Sequence, residues 1–295
     1  MSSWESENRL NRHITLSHGR RLGFAEYGDP SGRPVLFFPG TPSGRLFHHP
    51  EESIALSLGA RIITVDRPGF GLSDFQADRT LLHWPQDVIQ LADALDIGRF
   101  ALVGISGGAP YAMACALEVP ERLTAAGVIS GVGPTARLGG TRGMSRQRRL
   151  GVEVGRHIPW LTRPLLWLMS NPQRNPERYI GNIAAQSSKT DRVILARPEI
   201  KSMLITNWLE ATRPGLRGYA WEARMFSRPW GFRLEDVDLD VHLWHGEEDL
   251  SIPVTVGRHL ADAIPACHST FIHSEGHFLF FEHWRGILET MVASA

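Results

Sequence analysis

Cysteine is scarce in this chain: two residues, Cys115 and Cys267, in 295. That number excludes a disulfide-stapled scaffold and a four-cysteine zinc site. Long apolar runs are missing too. No stretch of about 18 apolar residues occurs, so no bilayer-spanning helix is expected. The opening MSSWESENRL is polar and carries acids, unlike a secretory signal, and a cytoplasmic protein is the expectation. Charge of one sign is absent as well. Lys+Arg 31 and Asp+Glu 31 cancel, with a pI near 7.3. No overall field draws nucleic acid or an anionic membrane, so the expected partner is a small-molecule substrate. No metal or other cofactor is indicated, and a monomer or homodimer is expected. Lysine itself is nearly missing. Only Lys189 and Lys201 stand beside 29 arginines.

What is present is an ordinary globular composition, 42% hydrophobic and 21% charged. The length suits one large α/β domain, or a core carrying an insertion. The neutrality hides an asymmetry. Residues 131–230 hold 17 basic and 6 acidic residues, against 14 and 25 in the remainder. The basic stretch is rich in Arg, Trp and Pro, as in RHIPWLTRPLLWLM (156–169).

The flanks alternate between strand and helix patterns. Short β-branched or aromatic runs bounded by Gly and Pro predict strands at VLFF (35–38), RIITV (61–65), FALVGI (100–105), LTAAGVI (123–129), DVHLW (240–244) and STFIH (269–273). The segment 14–28 reads as a hairpin turning at His18-Gly19. In WPQDVIQLADALDIG, Val88, Leu91, Ala92 and Leu95 share a helix face, with Pro85 in the first turn. The run 107–118 is a small-residue helix suited to close packing on a sheet. A hairpin followed by repeated β-α units predicts a mostly parallel sheet covered by helices. The basic stretch interrupts that alternation as a helical insertion, longer than an ordinary loop.

Gly104-Ile105-Ser106-Gly107-Gly108 fits G-x-S-x-G between a strand pattern and a helix pattern. A sharp strand-to-helix turn strains the nucleophile's backbone and needs small residues, here Gly104 and Gly108, two positions either side. A serine hydroxyl needs a base. Among 13 histidines, His277 sits in a loop between the last strand and last helix patterns, with His273 and His283 as local competitors. An imidazole needs a carboxylate to fix its tautomer. Asp249 follows the strand DVHLW, with Glu247 and Glu248 as neighbouring rivals. The order Ser106, Asp249, His277 is the one expected for an α/β-hydrolase arrangement. An oxyanion would be held by the backbone N–H groups of Gly107 and of Thr41, since Pro39 and Pro42 have none to offer.

With these pieces assembled, the chain resembles the α/β-hydrolase fold superfamily, in the serine-hydrolase branch with a helical cap. The resemblance rests on FPGTPSG (38–44), DRPGFGLSD (66–74), GISGG (104–108), HGEED (245–249) and EGHF (275–278), and spans residue 13 to the end apart from the cap. It implies an eight-stranded sheet with helices on both faces, a core of residues 1–133 and 231–295, and a cap at 134–230. It assigns nucleophile to Ser106, acid to Asp249, base to His277 and oxyanion donors to Thr41 and Gly107. Dehalogenases and epoxide hydrolases of this fold carry Asp at the elbow; Ser106 points instead to esters, thioesters, lactones, amides or certain carbon–carbon bonds. An acyltransferase, a perhydrolase or haloperoxidase, or a non-catalytic binding protein are the alternatives. Many relatives have His where Pro39 stands. Asp66 and Arg67 are read as loop organisers.

The insertion is expected to choose the substrate while the core performs the chemistry. Trp160, Trp167, Trp208 and Trp221 are the candidate pocket residues within it. The basic run 142–150 reads as a solvated face or an anion site, Cys115 as packed, and His48 and His49 as pocket-border or surface residues.

Overall fold

The computed structural model describes residues 9–134, 146–169 and 171–294. Strands β1 (Arg12–Thr15) and β2 (Arg21–Gly28) form the hairpin, closed over Leu16–Arg20 with Gly19 at φ 84°. The other strands are β3 (Arg33–Phe38), β4 (Ala60–Val65), β5 (Phe100–Ile105), β6 (Leu123–Ile129), β7 (Val241–Gly246) and β8 (Cys267–Ile272). They form one eight-stranded sheet in the order β1-β2-β4-β3-β5-β6-β7-β8. The β1–β2 and β2–β4 pairings are antiparallel, and the five others are parallel. Parallel strands covered on both faces lose their polar alternation. Every residue of β5 is accordingly buried.

Helices α1 (Glu52–Ser57), α2 (Trp84–Ala94), α3 (Ala109–Glu118), α10 (Val254–Ala263) and α11 (Phe280–Ala293) cover the sheet. Two apolar clusters result, one on each face. One joins α2, α3 and Leu260 of α10 to the sheet; the other joins α1 and α11 to the opposite face. On α2, the predicted stripe Val88, Leu91 and Ala92 is buried. On α3, the side chains from Ala109 to Ala116 are all buried, because alanines let a helix settle close to β5 and β6.

Between β6 and β7 lie α4 (Arg146–His157), α5 (Pro159–Met169), α6 (Pro176–Ala185), α7 (Lys189–Ala196), α8 (Pro198–Ala211) and α9 (Arg217–Phe226). Helix α9 packs on α4 and α5, while α6, α7 and α8 pack on one another. Tyr179, Ile194, Leu204 and Trp208 of this segment join the cluster that contains α11. The basic run 142–150 lies partly outside the described residues. Among those residues, no helix is long and apolar enough to cross a membrane.

The chain leaves β3 toward β4 on one side and returns to β5 on the other. The carboxyl ends of β3 and β5 therefore flank a crevice, which is where open α/β sheets place their ligands.

Candidate active site

Ser106 follows the last residue of β5 and opens a short 3-10 turn, Ser106–Gly108, that leads into α3. Its φ is 52°, a left-handed conformation disfavoured for a residue with a side chain. The flanking glycines answer to close contacts. A Cβ on Gly104 would lie 2.6 Å from the carbonyl oxygen of Gly108, and one on Gly108 would lie 2.0 Å from that of Phe38. The turn thus lifts the Ser106 hydroxyl above the carboxyl edge of the sheet.

His277 lies in the loop between β8 and α11. Its Nε2 is 3.1 Å from Ser106 Oγ and its Nδ1 is 2.8 Å from Asp249 Oδ2. Because Nδ1–H donates to the carboxylate, the lone pair on Nε2 faces the serine hydroxyl. Asp249 is buried after β7. Its other oxygen accepts from the backbone N–H groups of Ser251 (2.7 Å) and Ile252 (2.8 Å). Burial works against its ionisation. The nearby His277, its hydrogen bond, His245 and the Ile252 amide outweigh that and hold the carboxyl below its ordinary range. His245, beneath it, donates Nε2–H to the Ile252 carbonyl at 2.8 Å and steadies the same turn.

The neighbouring acids and histidines turn elsewhere. Glu247 meets Arg258 and His273 at the surface, and Glu248 is exposed. His273 falls just beyond β8 rather than within it, and His283 pairs with Glu275 at 3.3 Å. His48 stacks on Tyr27 and His49 meets the Phe281 carbonyl, both outside the cavity that holds Ser106. Cys115 is fully buried, and that burial pushes its thiol well above the ordinary range.

The loop after β3 crosses directly over the elbow. A Cβ on Gly40 would lie 3.3 Å from that of Ser106, and one on Gly107 would lie 2.3 Å from Thr41 Oγ1. Thr41 and Gly107 are thereby neighbours beside the serine. Among the described residues, the Thr41 N–H has no acceptor within the chain. The Gly107 N–H lies in the first turn of a helix, where the ladder leaves donors over. Arg67, fully buried after β4, donates to the carbonyls of Pro39 and Gly40 from outside the loop, as a loop organiser would.

Among the side chains of the inserted segment that reach this framework are Asp191 and Glu222, and neither carried a signal of that in the sequence. Asp191, on α7, is fully buried and accepts the backbone N–H groups of His277 (3.0 Å) and Phe278 (2.8 Å). In sequence it reads as the fourth residue of a Ser188-x-x-Asp191 capping box. The Ser188 hydroxyl does accept the Asp191 N–H at 3.1 Å, but the carboxylate serves the histidine loop. Glu222, on α9, is fully buried against Arg67. The inserted segment therefore also touches the loops around Ser106.

A cavity of about 350 Å³ opens over Ser106 and His277. Ile105, Leu165, Leu166, Leu204, Trp208 and Phe226 supply apolar walls. Among the described residues, no Asp, Glu, Lys or Arg side chain lines it. Of the four candidate tryptophans, Trp208 lines the cavity and meets Tyr179 edge-on at 4.9 Å. The other three do not. On α5 the inward face carries Thr162, Leu165 and Leu166, and helical spacing turns Trp160 and Trp167 outward, 74% and 54% exposed. Trp221 donates to the Arg79 carbonyl and packs on Phe75.

Comparison with known proteins follows the same outline. One relative, an epoxide hydrolase of Caballeronia sordidicola, is 34% identical over 119 residues, 39% of this chain and 36% of that protein. A 2-hydroxy-6-oxononadienedioate/2-hydroxy-6-oxononatrienedioate hydrolase of Burkholderia vietnamiensis is 25% identical over 256 residues, covering 83% and 79%. The solved esterase EaEST of Exiguobacterium antarcticum superposes with a TM-score of 0.71 at 19% identity, covering 96% of this chain and 98% of that one. The pattern of the alpha/beta hydrolase family matches residues 35–290, and with that span the chain belongs to the alpha/beta hydrolase family.

Proposed function

We propose that this protein is a cofactor-independent serine hydrolase acting on a small, uncharged ester-type substrate with an apolar acyl group. The observation that carries the reading is the relay Ser106 Oγ, His277 Nε2, His277 Nδ1, Asp249 Oδ2, at 3.1 and 2.8 Å, at the floor of a cavity without charged walls among the described residues. Ser106 Oγ attacks the acyl carbon while His277 takes its proton. The carbonyl oxygen becomes an oxyanion held by the Thr41 and Gly107 N–H groups. Collapse expels the alcohol, which leaves with the proton from His277. Water, deprotonated by the same nitrogen, then releases the acid and frees Ser106. Asp249 holds the imidazole in the tautomer that both steps need.

The name of the epoxide hydrolase relative does not transfer, because Ser106 stands where an aspartate would be needed for that chemistry. Helices α4–α9 act as the cap of the site, the unit expected at 134–230, and Trp208 supports that reading by lining the cavity. The apolar walls favour a neutral acyl chain over a charged one, since an unpaired charge in such surroundings is costly.

The test is hydrolysis of p-nitrophenyl esters of increasing acyl length, together with labelling by a fluorophosphonate, in the wild type and in Ser106→Ala. The expected result is turnover and labelling in the wild type and loss of both in a folded variant. Acyl transfer to an added alcohol or to peroxide in preference to water would reassign the reaction to an acyltransferase or a perhydrolase. Absence of both turnover and labelling in the wild type would leave a binding protein.

A further inference from the structure

Glu222 is a single acid on an otherwise basic and apolar helix, GYAWEARMF, yet it is fully buried. Its surroundings account for both carboxylate oxygens. Oε1 accepts from Arg67 Nε at 2.6 Å and from the Tyr111 hydroxyl at 2.9 Å. Oε2 accepts from Arg67 Nη2 at 3.1 Å and from the Thr41 hydroxyl. Arg79 lies 3.5 Å from the same carboxylate and itself donates to Tyr111 and to the Pro68 carbonyl.

Arg67 turns its remaining donors to the loop after β3. It reaches the carbonyls of Pro39 and Gly40 and, at 3.0 Å, the oxygen of the Thr41 hydroxyl. That hydroxyl therefore donates to Glu222 and accepts from Arg67 at once. Arg67, Glu222 and Thr41 close a triangle, and the triangle sits against Gly107, where an added Cβ would fall 2.3 Å from Thr41 Oγ1. A peptide N–H is aimed by the residue that carries it, so fixing the Thr41 side chain and the two carbonyls before it also fixes the direction of its N–H.

We propose that Glu222, reaching in from the inserted helices, is a positioning residue that holds the Thr41 N–H on the oxyanion through Arg67 and the Thr41 hydroxyl. This rests on the serine-hydrolase reading for its kinetic meaning, though not for its structural one. Glu222 does not touch substrate. It pairs with a guanidinium that is itself fully buried, with Asp66 a lesser source of opposite charge. A buried carboxylate with complete hydrogen bonding holds its partners in one arrangement, and preorganised donors are what oxyanion stabilisation depends on. The covering helices thus bear on the chemical step as well as on the choice of substrate.

The test compares Glu222→Gln, Thr41→Val and Thr41→Ser with the wild type, all normalised by fluorophosphonate active-site titration. Removing one oxyanion donor outright costs about 10²–10³ in kcat. Loosening one should cost less, about 10- to 100-fold in kcat per titrated site for Glu222→Gln, with KM changed by less than about twofold. Thr41→Val keeps the N–H and loses the hydroxyl, and its kcat should fall in the same direction. Thr41→Ser, which keeps the hydroxyl, should lose less than Thr41→Val. A purely architectural role would instead lower the number of titratable sites and leave turnover per site unchanged, and that result overturns the proposal. Should Glu222→Gln not fold, the Thr41 pair decides, since it leaves the buried ion pair in place. The Thr41 amide resonance supplies a readout independent of turnover. Its shift and hydrogen exchange should change in Thr41→Val and Glu222→Gln while amides of β6 stay as they were. An unchanged amide would sink the proposal even in an active enzyme. A changed amide in a protein that hydrolyses nothing would retain the positioning role and refute the hydrolase reading instead.

Discussion

Replacing Asp191 with alanine should damage catalysis from a residue 86 positions away from His277 in sequence. The carboxylate is fully buried and accepts two backbone donors, at 3.0 Å from His277 and 2.8 Å from Phe278. Alanine leaves both N–H groups without acceptors. An unsatisfied buried polar group costs about 1–3 kcal/mol, so the unfolding free energy should drop by about 2–6 kcal/mol, nearer the lower end where water enters the gap. The kinetic effect comes through the imidazole. His277 Nε2 now stands 3.1 Å from Ser106 Oγ, and a displacement of about 1 Å costs on the order of 10²-fold in rate. Because His277, the proposed base, moves rather than the pocket wall, kcat/KM should fall by the same factor for p-nitrophenyl acetate and for a hexanoate ester. Urea unfolding followed by tryptophan fluorescence gives the first quantity, and steady-state kinetics on both esters gives the second. Asp191→Asn keeps one acceptor oxygen but sets an amide NH₂ against the other donor, so it should fall between wild type and alanine. A stability loss under about 1 kcal/mol with unchanged kcat would refute the reasoning, because an unpaired buried amide should cost at least that. So would a loss confined to the longer ester.

Three further outcomes follow from the same geometry. Asp249→Asn should lower kcat by about 10³–10⁴, because the amide favours the wrong histidine tautomer, while Glu248→Gln should change it little; steady-state kinetics on the two variants decides. Trp208→Phe should shift the ranking among acyl lengths within the roughly 10- to 200-fold range that pocket contacts command. Trp160→Ala and Trp167→Ala should leave that ranking unchanged, and a shift there would place the pocket wrongly. For pH, burial holds His48 and His245 below the ordinary histidine value of 6.5. The unfolded chain then binds more protons just below that pH, so stability should rise with pH toward 6.5 and level off above it, each histidine adding up to about 1.4 kcal/mol per pH unit. The depressed Asp249 adds stability that is present above its unfolded value near 3.8 and lost as pH falls through its lower folded value. Denaturant titrations from pH 3 to 8 check this, and a flat profile between pH 5 and 7 would contradict it.

Several features could be read from the sequence because their causes are local. A hairpin at His18-Gly19 needs a residue at ease with positive φ, and Gly19 is there at 84°. The elbow needs small residues on both sides of Ser106, and the contacts at Gly104 and Gly108 leave no room for a Cβ. Strand positions followed apolar runs between turn residues, and the stripe on α2 followed helical spacing. The chain order of Ser106, Asp249 and His277 could be read as well, since each sits just after a strand pattern and parallel strands bring their carboxyl ends to one edge of a sheet.

What tertiary structure alone decided is where distant side chains meet. Three adjacent acids at 247–249 are nearly alike in sequence. Only the turn after β7, with the amides of Ser251 and Ile252 beneath it, brings Asp249 onto His277 while Glu247 and Glu248 face outward. Which of the four candidate tryptophans faces the cavity depends on which side of each inserted helix packs inward, and helical spacing alone does not say which side that is. Packing turned Trp208 in and left Trp160 and Trp167 outside. In sequence Asp191 and Glu222 are two of the six acids in a basic stretch. Their meaning came from burial against partners 86 and 155 positions away. Local sequence records the conformational limits of each turn and element, whereas a buried carboxylate is specified by what surrounds it, and those surroundings exist only once the chain has folded.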